Sequence, residues 1–109
     1  MIADRPILLV RARPSAEIGA EFGTWFRKVH LRDAARIPGI IRVERGCTPG
    51  GTWLGIYSFE SADGVQEALA SPEAAYARGT WEQWGDRLEE LRVEIFAPAG
   101  PLPLYHAIN

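Results

Sequence analysis

The sequence predicts an α+β domain with its elements in the order β-α-β-β-α-β. Three observations carry this. Apolar segments of strand length recur at 6–13, 40–45, 52–59 and 92–96. Between the first and second of these, and between the third and fourth, apolar residues fall at helical spacing instead. The two middle segments are joined by a short run of turn formers, as in an antiparallel hairpin. This order is ferredoxin-like: an antiparallel sheet with helices on one face.

The first segment, Pro6-Ile7-Leu8-Leu9-Val10-Arg11-Ala12-Arg13, is apolar on both faces at its start, as in a strand covered on both sides. Pro14-Ser15 breaks it, and Ser15 is placed to cap a helix with Glu17 in its first turn. From Ala16 to Arg36 the period is helical. Ile18, Phe22, Trp25, Phe26 and Val29 make one apolar stripe, with Glu21, Arg27, Lys28 and Arg32 on the other positions. Ile37-Pro38-Gly39-Ile40 stops the helix, because proline disfavours helix in the residue before it and glycine permits the turn.

Ile40 to Arg45 reads as the second strand, Cys47-Thr48-Pro49-Gly50-Gly51 as the hairpin turn, and Thr52 to Phe59 as the third strand. Ser61 opens a second helical region with Val65, Ala68 and Leu69 on its apolar side. Ser71-Pro72-Glu73 is a helix restart: a serine cap, proline at the first position and an acid in the first turn. The helix it starts is expected to carry Ala77, Trp81, Trp84, Leu88 and Leu91, before a last strand over Arg92 to Phe96.

Neither parity of the first and third strands is polar: Leu8 and Val10 oppose Ile7 and Leu9, while Trp53, Tyr57 and Phe59 oppose Leu54 and Ile56. Helices cover one face only, so the second apolar face needs another cover. A second copy in an isologous homodimer supplies it.

The chain has 109 residues, enough for one domain with a core of its own. We place that domain at 1–98 and an irregular tail at 99–109, where Pro101 and Pro103 forbid regular structure but Leu102, Leu104, Tyr105 and Ile108 stay apolar. The tail is expected to lie across its own subunit or the partner. An apolar share of 47% and a charged share of 24% exclude disordered and fibrous classes. No run of about 18 apolar residues exists, so no membrane span is expected. With 12 basic and 14 acidic residues, there is no basic field for a nucleic acid. A lone cysteine, Cys47, and a start without a signal-peptide layout suit the cytoplasm.

Trp25-x4-His30, then Ile37-Pro38-Gly39-Ile40, then Trp53 to Phe59 resemble the dimeric α+β barrel superfamily, and within it the EthD-like proteins. Those have an aromatic-x-x-x-His helix end leading into a Pro-Gly turn. The Ser71-Pro72 restart fits the same layout, and the likeness runs from about Ile7 to Phe96. It implies a homodimer with a pocket in each subunit between sheet and helices. It also implies cofactor-free monooxygenases, isomerases or polyketide cyclases among the activities, with haem bound by some relatives. It carries His30 over as the helix-end histidine. The stretch after it, Leu31-Arg32-Asp33-Ala34-Ala35-Arg36, departs from the acid-rich pattern.

His30 falls at the edge of the helical stripe, about 80° from Phe22 at about 100° per residue. It is either an acid–base group facing a pocket, with Asp33 orienting its ring, or a cap on the last helix carbonyls. Tyr57 is either its partner, donating to a developing oxyanion, or a core tyrosine. Trp25, Phe26, Trp53 and Trp84 are candidates to hold a flat aromatic or polyketide-like substrate, and with Trp81 they otherwise simply fill the core. Cys47, His30 and His106 have no metal-ligand spacing, and no glycine pattern suits a nucleotide, so neither metal nor cofactor is expected. Arg11, Arg13, Arg42 and Arg45 either clamp a carboxylate or pair with surface acids. The function these residues suggest is a small-molecule isomerase, cyclase or monooxygenase without cofactor. The alternative is a non-catalytic ligand carrier or an accessory protein to a redox enzyme.

Overall fold

A computed structural model describes residues 5–98. The tail assigned to 99–109 lies outside the described residues. Four strands, β1 (Ile7–Pro14), β2 (Ile40–Cys47), β3 (Trp53–Phe59) and β4 (Leu88–Phe96), form one sheet in the order β2-β3-β1-β4. Every neighbouring pair is antiparallel. The expected ferredoxin-like order is therefore the observed one.

The first helical segment runs from a 3-10 turn at Ala16–Ile18 through α1 (Gly19–Trp25), a π turn at Phe26–His30 and α2 (Leu31–Ala35). Ser15 does not cap it through its side chain. Its backbone N–H instead donates to the Arg87 carbonyl at 2.9 Å and ties the end of β1 to the approach of β4. The second segment is α3 (Val65–Leu69) followed by α4 (Pro72–Gly79). Here the cap is as expected: Ser71 Oγ accepts from the Ala74 N–H at 3.1 Å, with Pro72 in the first turn.

The stretch after Gly79 departs from the helical expectation. The chain passes through 3-10 turns at Thr80–Gln83 and Gly85–Arg87, with Gly85 at φ +51°, and enters β4 at Leu88. Leu88 and Leu91 are strand residues. Their spacing of three imitates a helix because a bulge sits between them: Pro14 pairs with Leu88 but Arg13 pairs with Glu90. One extra residue in β4 thus returns Leu88 and Leu91 to the same face.

Directly paired residues share a face of a sheet. Leu8, Val10 and Ala12 pair with Tyr57, Gly55 and Trp53 on one side and with Ile95, Val93 and Leu91 on the other. This is the face beneath the helices. Its core holds Leu8, Val10, Tyr57 and Phe59 against Ala34, Ile37, Ala74 and Ala77. A second cluster joins Ala12 to Phe22, Trp25, Phe26 and Trp84. The helix layer stops short of the edge strand, where Leu91, Val93 and Ile95 remain exposed.

The opposite face is apolar at its centre, where β1 and β3 lie, as expected. Leu9, Leu54 and Ile56 form a half-buried centre. Charged pairs surround it: Arg13–Glu89 at 3.4 Å, Arg42–Glu44 at 3.3 Å and Arg92–Glu90 at 3.6 Å.

Candidate active site

His30 reaches the interior through an irregularity in its helix. The buried positions Phe22, Phe26, His30 and Ala34 recur every four residues. In a regular α-helix that spacing drifts by about 40° per step and would carry His30 to the rim. The π turn over Phe26–His30 is wider, holds more residues per turn and cancels the drift. His30 is consequently 3% exposed rather than at the stripe's edge, and it does not cap the helix.

Around the imidazole, Trp25 stacks at 5.5 Å between centroids, Phe26 lies at 5.1 Å and Trp81 meets it edge-on at 4.8 Å. From below, β3 presents Tyr57, which is 1% exposed. The His30 Nε2 to Tyr57 Oη distance is 2.5 Å, a short hydrogen bond between two side chains separated by 27 positions. Both residues are candidates in the sequence, and the fold brings them together.

Burial disfavours charge on either partner. It lowers the His30 pKa to about 4. It pushes the Tyr57 phenol above its ordinary range. At neutral pH the pair is therefore uncharged, with one shared proton along the bond. His30 Nδ1 is buried and has no hydrogen-bond partner among the described residues.

Asp33 does not orient the ring. Among the described residues neither of its carboxylate oxygens has a hydrogen-bond partner, and the group beside it is the Arg32 guanidinium at 3.7 Å. The reason is directional: His30 points down to the sheet, whereas Asp33 lies with Arg36, Pro72 and Tyr76 at the start of α4.

His30 and Tyr57 line a cavity of about 330 Å³ between sheet and helices. Leu8, Val10, Ile37, Leu69, Leu91 and Val93 supply apolar wall, and Trp81 supplies an aromatic one. Among the described residues Arg78 is the one charged side chain on the lining; its Nη1 donates to the Leu69 carbonyl at 3.0 Å. The cavity size is at the small end for a ligand site, and its composition of apolar walls with a few convergent polar groups is typical of one.

Trp25, Phe26, Trp53 and Trp84, expected to hold substrate, are not on this wall. Trp25, Phe26 and Trp84 pack around Phe22, with Trp84 at 5.2 Å and Trp25 at 5.6 Å from it. Trp53 packs on Phe26 at 5.5 Å and lies over Gly23, where a methyl would stand 2.8 Å from the indole. These rings support His30 from behind. Of the wall residues, Trp81 and Leu91 were expected in a core helix and Val93 in the last strand, where it lies; Arg78 was not singled out. The missed signal was the turn after Gly79, which lifts Trp81 from the stripe and turns Leu91 into a strand residue.

Cys47 is exposed at the end of β2. Arg11, Arg13 and Arg42 face acids on the surface, Arg11 at 4.0 Å from Glu90. Among the described residues no group of three or more His, Cys, Asp or Glu side chains is placed to hold a metal ion. His30 does not suit a haem iron, because Nε2 is engaged by Tyr57 and Nδ1 is enclosed.

Fold and site together define a class: a ferredoxin-like α+β domain with a buried His–Tyr pair on the wall of an apolar cavity. No protein-family model and no curated protein matches the chain. Solved structures do. SnoaB, a cofactor-independent oxygenase of Streptomyces nogalater, in a mutant form, is similar at 21% identity and TM-score 0.65, over 93% of this chain and 99% of its own. An EthD family protein of Bacillus halodurans is similar at 15% identity and TM-score 0.67, over 84% and 96%. A monooxygenase of Streptomyces coelicolor in complex with nanaomycin D is similar at 12% identity and TM-score 0.66, over 93% of each chain. The chain thus shares the α+β fold of an EthD family protein and of these oxygenases, the fold that the helix-end and Pro-Gly motifs implied.

Proposed function

We propose that this protein is a cofactor-free enzyme that removes a proton from a small apolar substrate, aromatic or polyketide-like, through the His30–Tyr57 pair. The observation that carries the reading is the 2.5 Å hydrogen bond between two buried, uncharged groups on the wall of an apolar cavity. A phenolic or enolic O–H of the substrate docks on Tyr57 Oη. The substrate O–H bond breaks as its proton joins Tyr57, while the Tyr57 proton passes to His30 Nε2. The products of this step are a substrate oxyanion held by the Tyr57 hydroxyl and an imidazolium paired with it. Apolar walls strengthen that attraction. Isomerisation, cyclisation and oxygenation by dioxygen each begin from such an anion. The similarity to a cofactor-independent oxygenase favours the last of these.

The test is turnover of phenolic and anthrone-type compounds, chosen first by thermal shift, on the wild type, His30→Ala and Tyr57→Phe. Loss of one acid–base group typically costs about 10²- to 10⁴-fold. Both variants are expected to fall in that range, and wild-type turnover in His30→Ala would sink the proposal. A ligand carrier is the second reading. It is favoured by the same His30 pKa of about 4, which makes the resting imidazole a weak base. Binding without turnover in the wild type would select it.

The same reading includes a homodimer, in which a second copy covers the apolar centre of the free sheet face and the exposed side chains of β4.

A further inference from the structure

We propose that Gly55 is a positioning residue for the Tyr57 hydroxyl, and that the absence of a single methyl group at this place in β3 is what brings Tyr57 Oη to His30. The inference rests on reading the His30–Tyr57 pair as the working centre.

Gly55 and Tyr57 are two residues apart in a strand, so both lie on the face beneath the helices. Glycine in a strand interior weakens it, and usually marks a bulge, a sharp bend or a close approach. The first two do not apply. The register around Gly55 is unbroken, with Val10 opposite it in β1 and Arg45 opposite it in β2. Its φ is not positive either, unlike those of Gly39, Gly51 and Gly85. Close approach does apply. A Cβ at position 55 would stand 2.6 Å from Tyr57 Cζ and 2.9 Å from Cε1, and closer still to the hydroxyl oxygen. The phenol ring therefore lies back along its own strand over Gly55, in space that any other residue would fill. Lying there, its oxygen meets His30 Nε2, which the π turn delivers from above. A ring standing upright would place the hydroxyl elsewhere in the cavity.

The ring can yield to a methyl, so Gly55→Ala is expected to fold while losing the hydrogen bond. A short bond of this kind gives a downfield proton resonance in ¹H NMR, assigned by its disappearance in Tyr57→Phe. We expect that resonance to be lost in Gly55→Ala and kept in Gly46→Ala, a neighbouring-strand control where a Cβ would meet nothing within 4 Å. Retention of the resonance in Gly55→Ala overturns the proposal. If Gly55→Ala proves too unstable to study, the double variant Gly55→Ala with Tyr57→Leu decides, since no ring then lies over position 55. It is expected to melt with Tyr57→Leu alone; a clearly lower melting temperature means that glycine is needed there for another reason and overturns the proposal. Neither readout requires turnover. An inactive wild type with the resonance behaving as expected would remove the catalytic reading and leave Gly55 in its role. A catalytic wild type whose resonance survives Gly55→Ala would do the reverse.

Discussion

His30 is kept uncharged by burial, and this has a sign that can be measured. Its pKa is about 4 in the fold and 6.5 when exposed. Between those values the unfolded chain binds a proton that the folded chain does not, so stability is complete above pH 6.5 and declines as pH falls toward 4. At about 1.4 kcal/mol per unit, the loss is about 3 kcal/mol. Melting curves from pH 7 to pH 4 are expected to fall more steeply for the wild type than for His30→Gln, whose side chain does not titrate. Parallel curves would show that His30 is not buried as described. Ligand binding reverses the effect. An anionic oxygen docked at Tyr57 favours the imidazolium, so an acidic phenol is expected to deliver its proton to the protein rather than to buffer. Calorimetry in two buffers of different ionisation enthalpy reads this, with equal apparent enthalpies as the expected result. Both side chains were legible from sequence because each has a chemical identity. Gly55 was not, because its contribution is an empty volume.

At the scale of elements, what was legible followed regular periods. Ser71-Pro72-Glu73 announced a helix start through local chemistry, and the Ser71 cap forms. Ser71→Ala is expected to cost about 1 kcal/mol, read from the shift in denaturant midpoint. The apolar stripe of the first helix was equally plain. Phe22, fully buried among Trp25, Phe26, Trp81 and Trp84, is its central residue. Phe22→Ala is expected to cost about 3–5 kcal/mol and to loosen the rings behind His30. What was not legible were two single-residue irregularities. The π turn moves His30 from rim to interior, and the β4 bulge makes Leu88 and Leu91 look helical. Each adds one residue to a regular pattern, and a template of period 3.6 or 2 has no place for it. Both lie next to the cavity, and both determine which side chains line it.

For the whole molecule, the sheet is wider than the layer that covers it. Helices pack over β2, β3 and β1, and the cavity therefore opens along β4, where Leu91, Val93 and Ile95 stand in a row at 44%, 57% and 43% exposure. As the last strand of the sheet, β4 also presents along its outer edge backbone donors and acceptors that no other strand among the described residues pairs. On the free face, the Leu9, Leu54 and Ile56 centre ends beside Phe96, which is 54% exposed. A row of apolar side chains on an open edge is a liability in a single chain and an interface in a symmetric pair. If a second copy covers both regions, then Ile56→Asp and Val93→Asp each place a charge in that interface. Both are expected to convert a two-chain particle into single chains in sedimentation. Tyr76→Asp, on an exposed residue of α4, is expected to leave the pair intact. A surface substitution outside an interface changes stability by about 0.5 kcal/mol or less, so dissociation cannot be mistaken for general damage. A wild-type chain that sediments alone would leave the cavity open to water along β4. The water-excluded proton transfer proposed for His30 and Tyr57 would then lose its physical basis.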